Sequence, residues 1–340
     1  MNNRERVKAV LNGKKADRLP MVEWAAWWNL TTDRWQTEDA PAPDGPDGLQ
    51  RYFGLDPLRQ IWLGVRAPET PQPASHGAGI AQDEADYERL LPFLFGDAAI
   101  EDAVRTAQSW REGHERGDYA QWLTLEGFFW FPRTLFGIEG HLYAFYDEPE
   151  LMHRMNRDLT DYYLRALNRL LPVFQPEFMT FAEDMSYNLG PMISKELFDE
   201  FLLPYYRELI PVLKQAGVRV LIDTDGDVEP LIPWFREAGI EGVLPLERQA
   251  GVDVNRIRRN DPDWIMIGGY DKTIMHLGEE AMRREFDRLL PAMQSGRYIP
   301  SVDHQTPPDV SLSQYRTYVS LLREYAARCG QDGALCSAPK

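Results

Sequence analysis

The sequence is poor in cysteine. Of its 340 residues only Cys329 and Cys336 carry a thiol, and both lie close to the end. A disulfide framework and a cysteine-rich zinc site are therefore excluded, and a reducing, cytoplasmic setting is expected. Basic charge is scarce as well: 37 Lys and Arg stand against 53 Asp and Glu, a net charge of −16. Nucleic acids and anionic membrane surfaces are recognised through basic patches, so neither is an expected partner. No run approaches the roughly 18 apolar residues of a membrane span. The opening MNNRERVKAVLNGKK lacks the apolar core of a signal peptide. No G-x-G-x-x-G, P-loop, G-x-S-x-G, H-E-x-x-H or C-x-x-C occurs. Motif-level signals for dinucleotides, for a serine nucleophile and for a zinc protease are thus missing.

What is present is a globular composition, with 44% hydrophobic and 26% charged residues, which rules out a disordered or fibrous chain. The length fits one large α/β barrel or two ordinary domains. Residues 37–50 (TEDAPAPDGPDGLQ) and 68–79 (PETPQPASHGAG) read as loops, not linkers, because the composition does not change beyond them. Strands are expected near 21–24, near Gln60, and at 121–125, 178–181, 219–222, 242–246, 264–267 and from 298. Helical patterns cover 4–12, 147–174, 195–216, 228–238, 254–259, 279–293 and 312–328. Short strands alternating with longer helices imply a parallel sheet with crossover helices. About eight such units at this length give an α/β fold of the (β/α)8 TIM-barrel type. An open doubly wound sheet is the alternative, disfavoured by the missing glycine-rich turn. The expected organisation is a single barrel domain over residues 1–326, with a flexible tail over 327–340.

In such a barrel the chemistry sits where the strands end. Nearly every expected strand here ends in an acid: Glu23, Glu126, Glu183-Asp184, Asp223 and Asp225, Glu247, Asp271 beside Lys272, and Asp303 before His304. Any one of these can be a helix cap or an ion-pair partner. Acids converging on one mouth, however, repel unless a cation, a proton or Lys/Arg sits among them. Lys272 is one internal cation and a bound divalent metal is another. Asp223, Asp225, Glu247 and His304 form the candidate ligand set, suited to zinc, manganese or iron. Asp271, Lys272, Glu183 and His304 are the candidate catalytic groups, with His304 as general acid or base. Trp24, Trp27 and Trp28 follow the first strand and suit a flat or methylated organic substrate. With Glu23, Glu126 and Tyr187 they make the candidate substrate-binding set.

RERVKAVLNGKKADRLPM, GVRVLIDTDGDVEPLIPWFREAGIEGVLPLE, IGGYDK and GRYIPSVDHQTPPDVS, in this order, resemble the uroporphyrinogen decarboxylase superfamily. That superfamily also holds cobalamin-dependent methyltransferases, and the resemblance implies its (β/α)8 barrel. Its decarboxylases carry paired arginines after the first strand for a polycarboxylate substrate. The matching segment here is MVEWAAWWNL, with Glu23 and no arginine before Arg34. The histidine of the last strand is kept as His304. In the methyltransferase branch the resemblance places Asp223 and Asp225 at an H-x-C zinc pair and His304 at a final cysteine. Loss of the thiolates implies a harder metal or a different acceptor. The expected function is metal-dependent demethylation of a small methylated compound, with a corrinoid protein as partner and methyl acceptor. A cofactor-free carboxy-lyase using His304 and an acid is the alternative. A non-catalytic binding protein on the same barrel is the other.

Overall fold

Strands that are covered on both faces read as nearly unbroken apolar runs. FMTFA and IMIGGY are of this kind and are buried throughout. The computed structural model, which describes residues 1–330 apart from Pro43 and Pro46, assembles them into one parallel sheet. Its strands are β1 (Leu58–Trp62), β2 (Ala120–Glu126), β3 (Phe178–Ala182), β6 (Arg219–Asp223), β7 (Gly242–Leu244), β8 (Ile265–Tyr270) and β9 (Tyr298–Val302), neighbours in that order. A short antiparallel hairpin, β4 (Ser186–Tyr187) with β5 (Gly190–Pro191), follows β3. Registers run Leu123↔Met179, Phe181↔Ile222 and Gly269↔Ser301, so the ends that carry the acids lie at one rim.

The crossover helices follow their sequence cues. Pro149–Leu170 buries Leu151, Met155, Leu159, Tyr162, Tyr163, Ala166 and Leu170, one stripe at helical spacing. Leu312–Arg328 starts with a capping box of Ser311 and Gln314. This helix runs two residues into the segment expected to be a tail, while 331–340 lie outside the described residues. The helix expected over 195–216 is two, Lys195–Phe201 and Leu203–Gln215. Pro204 has no N–H to continue the first ladder and is accepted in the opening turn of the second. Among the described residues no helix is long and apolar enough to cross a membrane.

The fold is the expected α/β barrel, but the eighth place is unusual. Residues 21–24 are not a ladder strand. The Met21 N–H donates to the Asp56 carboxylate (3.0 Å), and the Met21 carbonyl accepts the Asp56 N–H (2.7 Å). On the other side, Trp24 Nε1 donates to the Val302 carbonyl of β9 (2.8 Å). One backbone bond and two side chains thus bridge the gap between β9 and β1 where a ladder was expected. Asp56 anchors this seam: it is buried and accepts both terminal nitrogens of Arg18 (2.7 and 2.6 Å). Removing one member of a buried pair strands the other. Asp56→Ala is expected to lose about 3 kcal/mol in urea unfolding. Breaking the exposed Arg105–Asp102 pair by Arg105→Ala should cost about 0.5 kcal/mol or less.

Candidate active site

At the acid-bearing rim a cavity of about 460 Å³ opens, lined by Trp24, Trp62, Trp122 and Trp130 on its aromatic side and by Glu183, Asp184, Asp223, Asp225 and His304 on its polar side. No Lys or Arg is among its lining residues. A second cavity of about 410 Å³ shares Trp24, Gln60 and Trp122 as walls and reaches Glu23 and Trp27.

The acids that look alike in sequence are in different circumstances. Glu126 is neutralised by Arg66 Nη1 at 2.6 Å. Glu183 is buried and accepts the N–H groups of Phe128 (2.8 Å), Phe129 (2.8 Å) and Trp130 (2.9 Å), together with the Tyr206 hydroxyl. It holds the start of helix Trp130–Phe136, where unpaired N–H groups attract a carboxylate. Its burial still lifts its pKa to about 7. Asp303 is fully buried, accepts the Arg248 N–H (2.9 Å), and faces Lys272 Nζ at 3.5 Å. Asp271 accepts from Thr273 N–H (2.9 Å) and Gln249 Nε2 (2.8 Å), and so caps the turn Lys272–Leu277. Glu247 accepts the Gly226 N–H (3.0 Å).

Asp223 and Asp225 are left facing the cavity. The Asp223 carboxyl has no hydrogen-bond partner among the described residues. Burial, followed by repulsion from Asp225 and Asp184, pushes its pKa well above the usual carboxylate range. Burial, Asp184 and Glu247 raise Asp225 to about 7, with Lys272 opposing. Its carboxyl lies 3.9 Å from His304 Nε2. Burial and Lys272 lower the His304 pKa, so the neutral imidazole is favoured. Asp184 stands at φ 48° and its carbonyl accepts Arg133 Nη1 (2.8 Å). This left-handed conformation is uncommon for a residue with a side chain and puts Asp184 beside Asp225.

Of the residues expected from sequence, the rim cavity brings together Trp24, Glu183, Asp223, Asp225 and His304. Glu23 lines the second cavity. Trp27 also touches that cavity, but packs edge-on to Trp35 and Tyr315 in the core. Trp28 and Tyr187 are exposed and line neither cavity. Glu126, Asp271 and Lys272 are held in the contacts described above. Asp223, Asp225, Glu247 and His304 do not form a ligand sphere: among the described residues no three His, Cys, Asp or Glu groups stand so as to hold an ion. The donor set as arranged does not fit a metal centre. Sequence reading passed over Trp62, Trp122 and Trp130 as site residues. A cue existed for Trp122: the two-residue period of β2 puts it on the face of Thr124, whose hydroxyl accepts from Gln60 Nε2 (2.7 Å).

A family model described as uroporphyrinogen decarboxylase (URO-D) matches residues 134–325. Among solved structures the chain is similar to a methyltransferase from Methanosarcina mazei, at 14% identity and a TM-score of 0.65, over 96% of this chain and 99% of that one. An endo-1,4-beta-mannanase from Rhizomucor miehei aligns at 10% identity and a TM-score of 0.47, over 90% and 95% of the two chains. A putative vitamin-B12 independent methionine synthase from Listeria monocytogenes aligns at 11% and 0.45, over 94% and 98%. No curated protein matches the chain. At these identities the likeness to the first structure is one of fold.

Two outcomes follow from the geometry. A Cβ on Gly127 would lie 1.9 Å from the Glu183 carboxyl carbon. Gly127→Ala should therefore cost about 2 kcal/mol of stability in urea unfolding. Glu23 is buried, and desolvation raises its pKa to about 8 although Tyr318 and Ser301 donate to it. Between the ordinary glutamate range and about 8, the folded state keeps a proton that the unfolded state releases, so stability falls as pH rises through that window. Glu23→Gln, permanently neutral, should remove part of this fall, on the order of 2–4 kcal/mol by about pH 9. Thermal melts across the window read it, and a slope identical to the wild type would refute the assignment.

Proposed function

The chain belongs to the uroporphyrinogen decarboxylase family, and from that premise we propose that it is a methyl-transfer enzyme. It removes a methyl group from a small methylated compound held in the rim cavity. The acceptor is presented at the cavity opening, and a corrinoid carried by a partner protein is the acceptor that fits the family. The observation that carries this reading is the lining itself: Asp184, Asp223 and Asp225 with no Lys or Arg among them. A polycarboxylate entering such a cavity meets like charge on desolvated walls, which disfavours porphyrinogen decarboxylation.

The bound acceptor supplies the electron pair that forms the new bond to the methyl carbon. The bond from carbon to the heteroatom breaks, and its electron pair stays on the heteroatom. When that atom is oxygen the leaving group needs a proton. Burial and neighbouring carboxyls raise Asp223 well above the usual carboxylate range and Asp225 to about 7, which suits them to hold a proton and donate it. His304, 3.9 Å from Asp225, takes part in restoring the proton from solvent. The tryptophans exclude water, which strengthens every polar contact inside. Trp24 is fixed for this by its bond to Val302 and by an edge-on contact with His304 at 6.3 Å.

The test supplies methylated amines and methoxylated aromatics to the purified protein, with free reduced cobalamin standing in for the carried corrinoid. Methyl transfer is the expected outcome, with Asp223→Asn lowering kcat about 100-fold on a methoxylated substrate, whose leaving oxygen needs the proton, while the fold is kept. Carbon dioxide release from uroporphyrinogen without methyl transfer would establish the carboxy-lyase instead.

A further inference from the structure

The rim cavity joins two features seldom combined around a neutral substrate. Its aromatic side carries four indoles, from Trp24, Trp62, Trp122 and Trp130. Its polar side carries several carboxyls, of which Asp223 has no hydrogen-bond partner among the described residues, and no lining cation balances them. The cations just outside the lining are engaged elsewhere: Lys272 faces Asp303 (3.5 Å) and Gln249 (3.3 Å), and Arg133 lies 4.0 Å from the Asp184 carboxylate and 5.2 Å from the Trp130 ring, which leaves Asp223 without one. A flat neutral ring would satisfy the indoles and leave the carboxyls desolvated without compensation. An anion would be repelled. A cation without N–H groups satisfies both: indole faces attract it through their quadrupole, and it needs no directional acceptor from them.

A second, independent feature lies past Trp24. Glu23 is only 4% exposed, and its Oε2 has no partner at hydrogen-bond geometry, while the residue lines the adjoining cavity of about 410 Å³. That oxygen is sealed from the cavity and is stabilised from inside the core by the Tyr315 hydroxyl, so what the second cavity offers a ligand is room rather than this atom. The shared walls of Trp24, Gln60 and Trp122 make the two cavities neighbours. A ligand with a charged head in the first thus has room for a tail in the second.

We propose that the substrate class of this cavity is quaternary ammonium compounds, the methylated nitrogen lying among the tryptophans with Asp223, which gives up its proton to solvent as the cation enters, as its counter-ion, and a tail directed into the second cavity. This rests on reading the cavity as the site of methyl transfer, and it adds the charge of the methyl donor. Loss of a methyl group from such a nitrogen leaves a neutral tertiary amine. The electron pair of the broken bond stays on nitrogen, and no proton is required.

Calorimetric and tryptophan-fluorescence titrations with choline, tetramethylammonium and 3,3-dimethylbutan-1-ol, the uncharged carbon isostere of choline, test it. Choline is expected to bind at least about tenfold more tightly than its isostere. Asp223→Asn should abolish most of that difference, and Trp62→Leu, at a half-exposed position, should weaken choline while circular dichroism is unchanged. Equal affinity for choline and its isostere, or no binding of either cation, overturns the proposal. Binding needs no acceptor, so the two readings fail separately. Tight choline binding without methyl transfer sinks the reaction and keeps the ligand class. Methyl transfer from a neutral methoxy compound with no cation binding does the reverse.

Discussion

The carboxylate of Glu183 is the contact on which the rim depends. It rises from the end of β3 and takes up three backbone N–H groups of the segment that follows β2. In this way it fixes two neighbouring loops to each other and sets where Trp130 stands on the cavity wall. The geometry leaves no slack: Gly127 is the one residue type that lets the carboxyl approach, because any Cβ would overlap it. The Tyr206 hydroxyl completes the arrangement from helix Leu203–Gln215. A charge that looks catalytic in the sequence is thereby occupied in construction, although it also lines the cavity.

The same sorting applies around the whole rim. Glu126, Asp271, Asp303 and Glu247 each have a donor within hydrogen-bond distance, supplied by Arg66, Thr273, Arg248 or Gly226. These acids organise loops. Asp223 and Asp225 have been left without such donors, which is costly for a folded chain. Groups kept in an unfavourable state against stability mark a place where something else is meant to bind. The cost is met by a core that surrounds the strands on both faces.

The sequence revealed the barrel because its strands are buried on both sides and its helices are amphipathic; both patterns are local. It also put Asp223, Asp225 and His304 at one rim, since the end of a parallel strand is a position readable from order alone. It did not reveal which acids were already paired. Arg66 lies 60 positions from Glu126, and the amides that hold Glu183 lie more than 50 positions away; such partners are fixed only by tertiary structure. The apolar run at residues 21–24 looked like a strand because burial, which it has, is what the pattern reports. Whether a backbone joins a ladder depends on competing side chains, and here Asp56 takes the Met21 N–H. The tryptophans on β1 and β2 carry no separate signal for a similar reason, because a cavity wall and a core wall have the same composition.

That seam gives the barrel the mechanics of a split ring. A ring closed all round by ladder bonds resists widening at every joint, whereas this one is pinned on one side by the carboxylate and N–H of Asp56 and on the other by an indole N–H and the Ser301 hydroxyl on Glu23. The indole belongs to Trp24, the partition between the two cavities. The joint that replaces a ladder at this seam is therefore also a wall that both cavities share.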